Sequence, residues 1–320
     1  MNFDLLLDNL TNPALLFFLL GIIATRLKSD LEIPPNSSKF ISLYLLFSIG
    51  FKGGQELAHS HFDLEIIYSA IFGVFIALII PIYCFFILKR RFSIENSGAI
   101  AAAYGSVSAV TFVTAISFLE IQKYTFSGHM VAIMALMEAP AIIIGVILMK
   151  MFNKNEVIKT KMKSVVKHSL TNGSVLLILG SLLIGFLASD QQAMGIKPFT
   201  TDIFKGFLAI FLLDMGIVSG KKLNIFFKSG WFPVVFAILI PLINGSLVAI
   251  LSQFVTNEIG NRFIFSILAA SASYIAVPAA MKIVAPKANP GLFLPMALAI
   301  TFPFNITFGM PIYLSIILYF

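Results

Sequence analysis

Long apolar runs alternate with short polar stretches ten times along this chain. A bilayer core takes about 20 residues of helix. On that measure, spans fall near 13–27, 38–57, 66–88, 98–118 and 128–150, and a second set near 173–189, 201–221, 231–255, 262–284 and 291–318. Turn chemistry separates them at Pro34-Pro35-Asn36, Ser189-Asp190, Lys197-Pro198 and Ala288-Asn289-Pro290-Gly291. The polar positions repeat too. Gly50-x-x-Gly53-Gly54-x-x-Leu57 returns 166 positions later as Gly216-x-x-Ser219-Gly220-x-x-Leu223. That offset is close to half of the 320 residues, so the chain reads as two copies of one unit, residues 1–152 and 173–320, joined by a short, basic cytoplasmic linker, 153–172.

The basic residues orient the spans. With the N-terminus outside, all but five of the 22 Lys and Arg residues fall on the cytoplasmic side; the exceptions are Lys52, Lys123, Lys197, Lys205 and Arg262. Both termini are then extracytoplasmic. Five spans per copy is an odd number, so the second copy enters the membrane upside down. The predicted fold class is an all-α polytopic membrane protein with about ten transmembrane helices, arranged as two inverted five-helix repeats. That is the arrangement of secondary transporters.

Composition agrees. Apolar residues make up 58% and charged residues 12%, about half the charge of a soluble domain, and mean hydropathy is +0.95. The +7 net charge comes from loop anchors and forms no patch for nucleic acid; lipid is the implied surroundings. Cys84, the only cysteine, lies in an apolar run and predicts neither a disulfide nor a metal site. His59, His61, His129 and His168 show no metal spacing, and no phosphate-binding loop or H-E-x-x-H occurs. An ATP-driven pump and a membrane protease lose support, and no cofactor is implied beyond a coupling ion. Asp4 and Asp8 stand where a signal peptide would be basic, so no cleavable leader is expected.

The chemistry concentrates in two matched segments. The fourth span carries Gly105-Ser106-Val107-Ser108-Ala109-Val110-Thr111, and the ninth carries Ser271-Ala272-Ser273-Tyr274-Ile275-Ala276-Val277-Pro278; Ser106 and Ser271 are 165 positions apart. Small and hydroxylated residues suit close helix packing. They equally suit discontinuous helices whose free N–H ends face an anion and whose carbonyls and hydroxyls face a cation. Matched placement in both halves favours the second reading, and Pro278 adds a helix-breaking residue. Candidate anion-binding residues are therefore Gly105, Ser106, Val107, Ser108, Ala109, Ser271, Ser273, Tyr274 and Ile275.

Carboxylates within spans are costly and mark ion or substrate paths. Glu138 precedes Pro140, and its repeat mate is Thr301, which precedes Pro303. Glu138, Thr111 and Asp214 are the candidate cation-binding and coupling residues; Asp214 reads equally well as a structural pair. The spacing of Gly50 with Gly54, and of Gly216 with Gly220, predicts close helix packing.

At these residues the chain resembles the sodium-dependent bicarbonate transporters first described in cyanobacteria. The most specific stretches are Ile49-Gly50-x-x-Gly53-Gly54, Gly105-x-Val107-Ser108-x-x-Thr111 followed by Leu119-Glu120, Ala270-Ser271-x-Ser273-x-Ile275-x-x-Pro278, and Ala288-Asn289-Pro290. The resemblance implies ten helices in two inverted repeats, a homotrimer, bicarbonate and Na⁺ held between broken segments of a core domain, and a PII-like regulatory partner. The chain departs from that pattern at Tyr274, where the family has aspartate, at Val277 for glycine, and at Ala279 for the second of two prolines. Glu138 replaces an aspartate, and the long cytoplasmic loop is much reduced. The expected function is Na⁺-coupled uptake of bicarbonate, or of another small anion, by a symporting permease of the inner membrane. A proton on Glu138 is the alternative coupling ion. A non-transporting membrane sensor on the same fold is the alternative of another class, motivated by the lost aspartate and glycine. No catalytic constellation supports an enzyme.

Overall fold

The computed structural model describes residues 11–59, 63–153, 166–167, 171–226 and 230–320. Asp4, Asp8, His61, His168 and most of the predicted linker lie outside them. The described chain is helical, with no strand among the described residues. Among the described residues, six helices are long and apolar enough to cross a membrane, and three shorter apolar helices accompany them.

The helices are α1 (Pro13–Arg26), α2 (Pro35–His59), α3 (Leu64–Leu88), α4 (Ile94–Gly105), α5 (Ala109–Ile121), α6 (His129–Phe152), α7 (Gly173–Leu187), α8 (Asp190–Lys197), α9 (Phe204–Phe226), α10 (Trp231–Leu251), α11 (Ile259–Ala270), α12 (Ala276–Val284) and α13 (Pro290–Tyr319). Polar residues at their starts supply the missing acceptors for free N–H groups. Asn12 accepts from Ala14, Asn172 from Ser174, and Asn289 from Gly291, while Ser189 and Gln192 form a reciprocal capping box.

One local expectation is corrected. Lys197-Pro198 makes no turn: Pro198 is helical (φ −53°, ψ −37°), and a five-residue π segment, Pro198–Asp202, carries α8 on towards α9. A π segment accommodates the proline's missing N–H without ending the helix. Pro140 does not interrupt α6, which runs unbroken from His129 to Phe152. The last span keeps its own prolines by the same device, with π segments at Met296–Thr301 and Asn305–Gly309 on either side of Phe302-Pro303-Phe304.

Packing sorts the helices into two groups. α2 lies along α7, and α1 along α9, with α2 and α9 touching between them. The remaining helices pack as α3 with α4 and α6, and as α10 with α11 and α13. The doubled glycine motif builds the first group. A Cβ on Gly50 would sit 2.7 Å from the Ile178 carbonyl oxygen, and one on Gly54 would strike the backbone of Leu182 and Phe186. Gly216 presses against the Phe18 backbone and Gly21, and Gly220 against Thr25. Each pair is a seam on which two helix backbones meet. The second group holds the deepest span: 94% of the apolar window in Ile94–Ile121 is buried, against 44% for α3 and α10, whose outer faces remain apolar and open.

Candidate functional site

Both matched segments are breaks in helices. α4 ends at Gly105, the chain is extended at Ser106 (φ −85°, ψ 168°), and α5 starts after Ser108. α11 ends at Ala270, Ser271 is extended (φ −80°, ψ 165°), and α12 starts at Ala276. Serine suits both places because its hydroxyl replaces backbone partners that the helix no longer supplies. Ser108 Oγ accepts from Thr111 N at 3.2 Å, and Ser271 Oγ donates to Leu268 O at 2.9 Å. Pro278 lies inside the first turn of α12, not at the break. There its missing N–H leaves no helical bond unmade.

The two breaks cross each other. Ser273 N donates to Ala103 O at 2.8 Å, and Ser108 N donates to Ser271 Oγ at 2.9 Å. Ser106, Ser108, Ser271 and Ser273 are all buried, as are Gly105 and Val107. Residues 163 to 170 positions apart in sequence are thus joined by direct hydrogen bonds. The structure brings together Gly105, Ser106, Val107, Ser108 and Ala109 with Ser271 and Ser273. The first-turn N–H groups of Ala109 and Val110 have no protein partner among the described residues, as helix geometry dictates.

Tyr274 and Ile275 stand at the edge of this crossing. The Tyr274 ring lies edge-on to Phe302 (6.4 Å between centroids), and its hydroxyl sits beside Ser108 and 3.8 Å from Met215 Sδ. Ile275 is 41% exposed. Both line a cavity of about 480 Å³ whose walls also carry Ser38, Lys39, Asp214 and Lys221. Tyr274 therefore touches both the cavity and Ser108. At the opposite end of α2, a second cavity of about 120 Å³ is lined by Lys52, Glu56 and Glu120. Glu120 of α5 pairs there with Lys52 of α2 (3.6 Å) and Lys205 of α9 (3.1 Å), linking the two helix groups.

The carboxylates separate. Glu138 is buried on α6 beside the first break: its backbone carbonyl accepts from Ser106 Oγ at 3.3 Å, and Ala141, one turn on, packs against Gly105. No side-chain partner meets its carboxyl group among the described residues. Thr111 is buried in the first turn of α5. Asp214 belongs to the wall of the larger cavity, where its carboxylate accepts from Ser38 Oγ at 2.5 Å.

Thr301, the repeat mate of Glu138, and two asparagines that the sequence reading did not single out also shape the breaks. Thr301 donates to Ala237 O and shares a 2.7 Å hydrogen bond with Tyr104. Asn244 and Asn305 donate to the last carbonyls of α11, Ala269 O (3.2 Å) and Ala270 O (2.8 Å). A lone amide in the middle of an apolar run is the signal that could have found them, because such a group must be paired inside a membrane.

Residues 13–318 match the Na⁺-dependent bicarbonate transporter superfamily, and no curated protein matches the chain. The match spans nearly every described helix, from α1 to α13, and includes both crossed breaks. The protein belongs to the Na⁺-dependent bicarbonate transporter superfamily, a membrane transporter rather than an enzyme.

Proposed function

We propose that the chain is a secondary permease that takes up bicarbonate with Na⁺, and that it holds the anion where the two broken helices cross. The crossing itself carries this reading: two half-helix N-termini, at Ala109 and Ala276, are brought to one buried place by the Ser108–Ser271 and Ser273–Ala103 hydrogen bonds. Helix N-termini offer free N–H groups and about half a positive charge each, which suits a small anion in a dry site. Ser106, Ser108, Ser273 and Tyr274 supply hydroxyls, and Gly105 and Ala109 let backbone approach. Glu138 and Thr111, with the carbonyl end of α4, form the neighbourhood of the cation. Its charge offsets the cost of bringing an anion to the membrane midplane.

Ten spans as two inverted five-helix units fit the order of elements. Helix α2 starts at the larger cavity and ends at the smaller, while α9 starts at the smaller and ends at the larger. Exchanging the halves likewise exchanges the α2–α7 pairing for α9–α1, and α3–α4 for α10–α11. The basic-residue bias supports a cytoplasmic position for the larger cavity, with Lys39 and Lys221, and an extracytoplasmic one for both termini. The conformation is then inward-facing, with the Glu120 ion pairs closing the outer side.

Uptake of labelled bicarbonate into proteoliposomes, with and without an inward Na⁺ gradient, tests the assignment. Uptake driven by Na⁺ is expected. Uptake driven only by a pH gradient would make Glu138 a proton carrier, a reading favoured by Tyr274 standing where the family has a carboxylate. Binding of bicarbonate without flux under either gradient would indicate a sensor and sink the permease assignment.

A further inference from the structure

The two breaks end differently, and the difference concerns cations. An α-helix leaves its last carbonyls without intrahelical partners, and they carry partial negative charge. In α11 those carbonyls are closed by side-chain amides, Asn244 Nδ2 on Ala269 O and Asn305 Nδ2 on Ala270 O. Each amide is held in that orientation by a tyrosine. Tyr83 donates to Asn244 Oδ1, and the Tyr313 hydroxyl is shared between Asn305 Oδ1 (3.2 Å) and Pro241 O (3.0 Å). With its oxygen occupied as an acceptor, each amide turns its NH₂ towards the helix end.

The repeat mates of Ala269 and Ala270, 165 positions earlier, are Tyr104 and Gly105 at the end of α4. No donor from the described residues meets their carbonyl oxygens. The positions matching the two asparagines, aligned through Pro81 with Pro241 and Pro140 with Pro303, are Cys84 and Ile142. Both are buried, and neither is an amide. Instead this end of α4 has Glu138 beside it, a buried carboxyl without a side-chain partner, where the other half has Thr301 bonded to Ala237 O and Tyr104.

We infer that Asn244 and Asn305 act as built-in replacements for a cation in the second half, so that the protein takes one Na⁺ per chain, at the first half, and not one per repeat. The inference rests on the proposed reading of the halves as inverted copies around one transport site. The amide NH₂ groups give the α11 carbonyls the positive partner that a bound ion would give them, and they close that position to a second ion. The α4 carbonyls and Glu138 keep the position open.

Equilibrium binding of ²²Na⁺ to the purified full-length protein in detergent tests this. One ion per chain is expected, lost in Glu138→Gln. Asn305→Asp replaces the donor with a carboxylate that must itself find a cation, and raises the count to two. No ion or two ions in the unaltered protein, or a count of one in a folded Asn305→Asp variant, overturns the inference. The unaltered protein's count decides it even where that variant does not fold. Labelled bicarbonate flux on the same preparation is scored separately: a count of one without flux removes the proposed permease function and leaves the cation inference standing.

Discussion

Glu120→Gln should loosen the outer closure. Glu120 holds two cations from the other helix group, Lys52 at 3.6 Å and Lys205 at 3.1 Å. All three side chains are at least 36% exposed, so each pair is screened by water and contributes about 0.2–1 kcal/mol. Outward opening separates α5 from α2 and α9 and breaks both pairs. Removing the carboxylate charge therefore shifts the inward–outward balance by about 0.4–2 kcal/mol, or roughly two- to thirty-fold at about 1.4 kcal/mol per tenfold. The assay is the labelling rate of Ile116→Cys, in the wall of the smaller cavity, by a membrane-impermeant thiol reagent added outside, in a Cys84→Ser background. Labelling in Glu120→Gln should accelerate within that range. High salt should accelerate the parent and leave the variant nearly unchanged, because screening acts on the same pairs. An unchanged or slower rate would refute the latch.

Other expectations follow from the same structure. Gly54→Ala places a methyl group against the Leu182 and Phe186 backbone and should cost about 1–3 kcal/mol. Gly180→Ala, with nothing within 4 Å, should be neutral or stabilising by up to about 1 kcal/mol; thermal unfolding in detergent separates the two. Arg262→Ala strands the Ala249 and Ile317 carbonyls at the ends of α10 and α13 and should cost about 1–3 kcal/mol per abandoned group, with partial rescue by Lys, read as the unfolding midpoint. Tyr274→Ala removes the ring that touches both the larger cavity and Ser108, so Ser108→Cys should label faster from the cytoplasmic side; an unchanged rate would remove Tyr274 as a barrier.

Much of the fold was legible because membrane helices must be long, apolar runs with every backbone group paired. The glycine seams were legible for a related reason: Gly50, Gly54, Gly216 and Gly220 sit at a spacing that only close backbone approach requires. Both breaks could be placed because Ser106-x-Ser108 and Ser271-x-Ser273 recur at matched positions. The crossing partners could not, since Ser273 meets Ala103 through backbone groups that every residue carries. A proline misled in the other direction. Lys197-Pro198 read as a turn, but a π segment keeps that helix running. The five cations that violate the charge bias read as noise in the topology. Three have structural work: Lys52 and Lys205 meet Glu120, and the Arg262 guanidinium caps two helix ends.

A structure determined with bicarbonate and Na⁺ present is the most direct test of where the anion sits. Density for the anion is expected between Ser106–Ala109 and Ser271–Ile275, with the cation beside Glu138 and the end of α4. Anion density confined to the cavity wall near Lys39 and Lys221, with the crossing empty, would contradict the assignment.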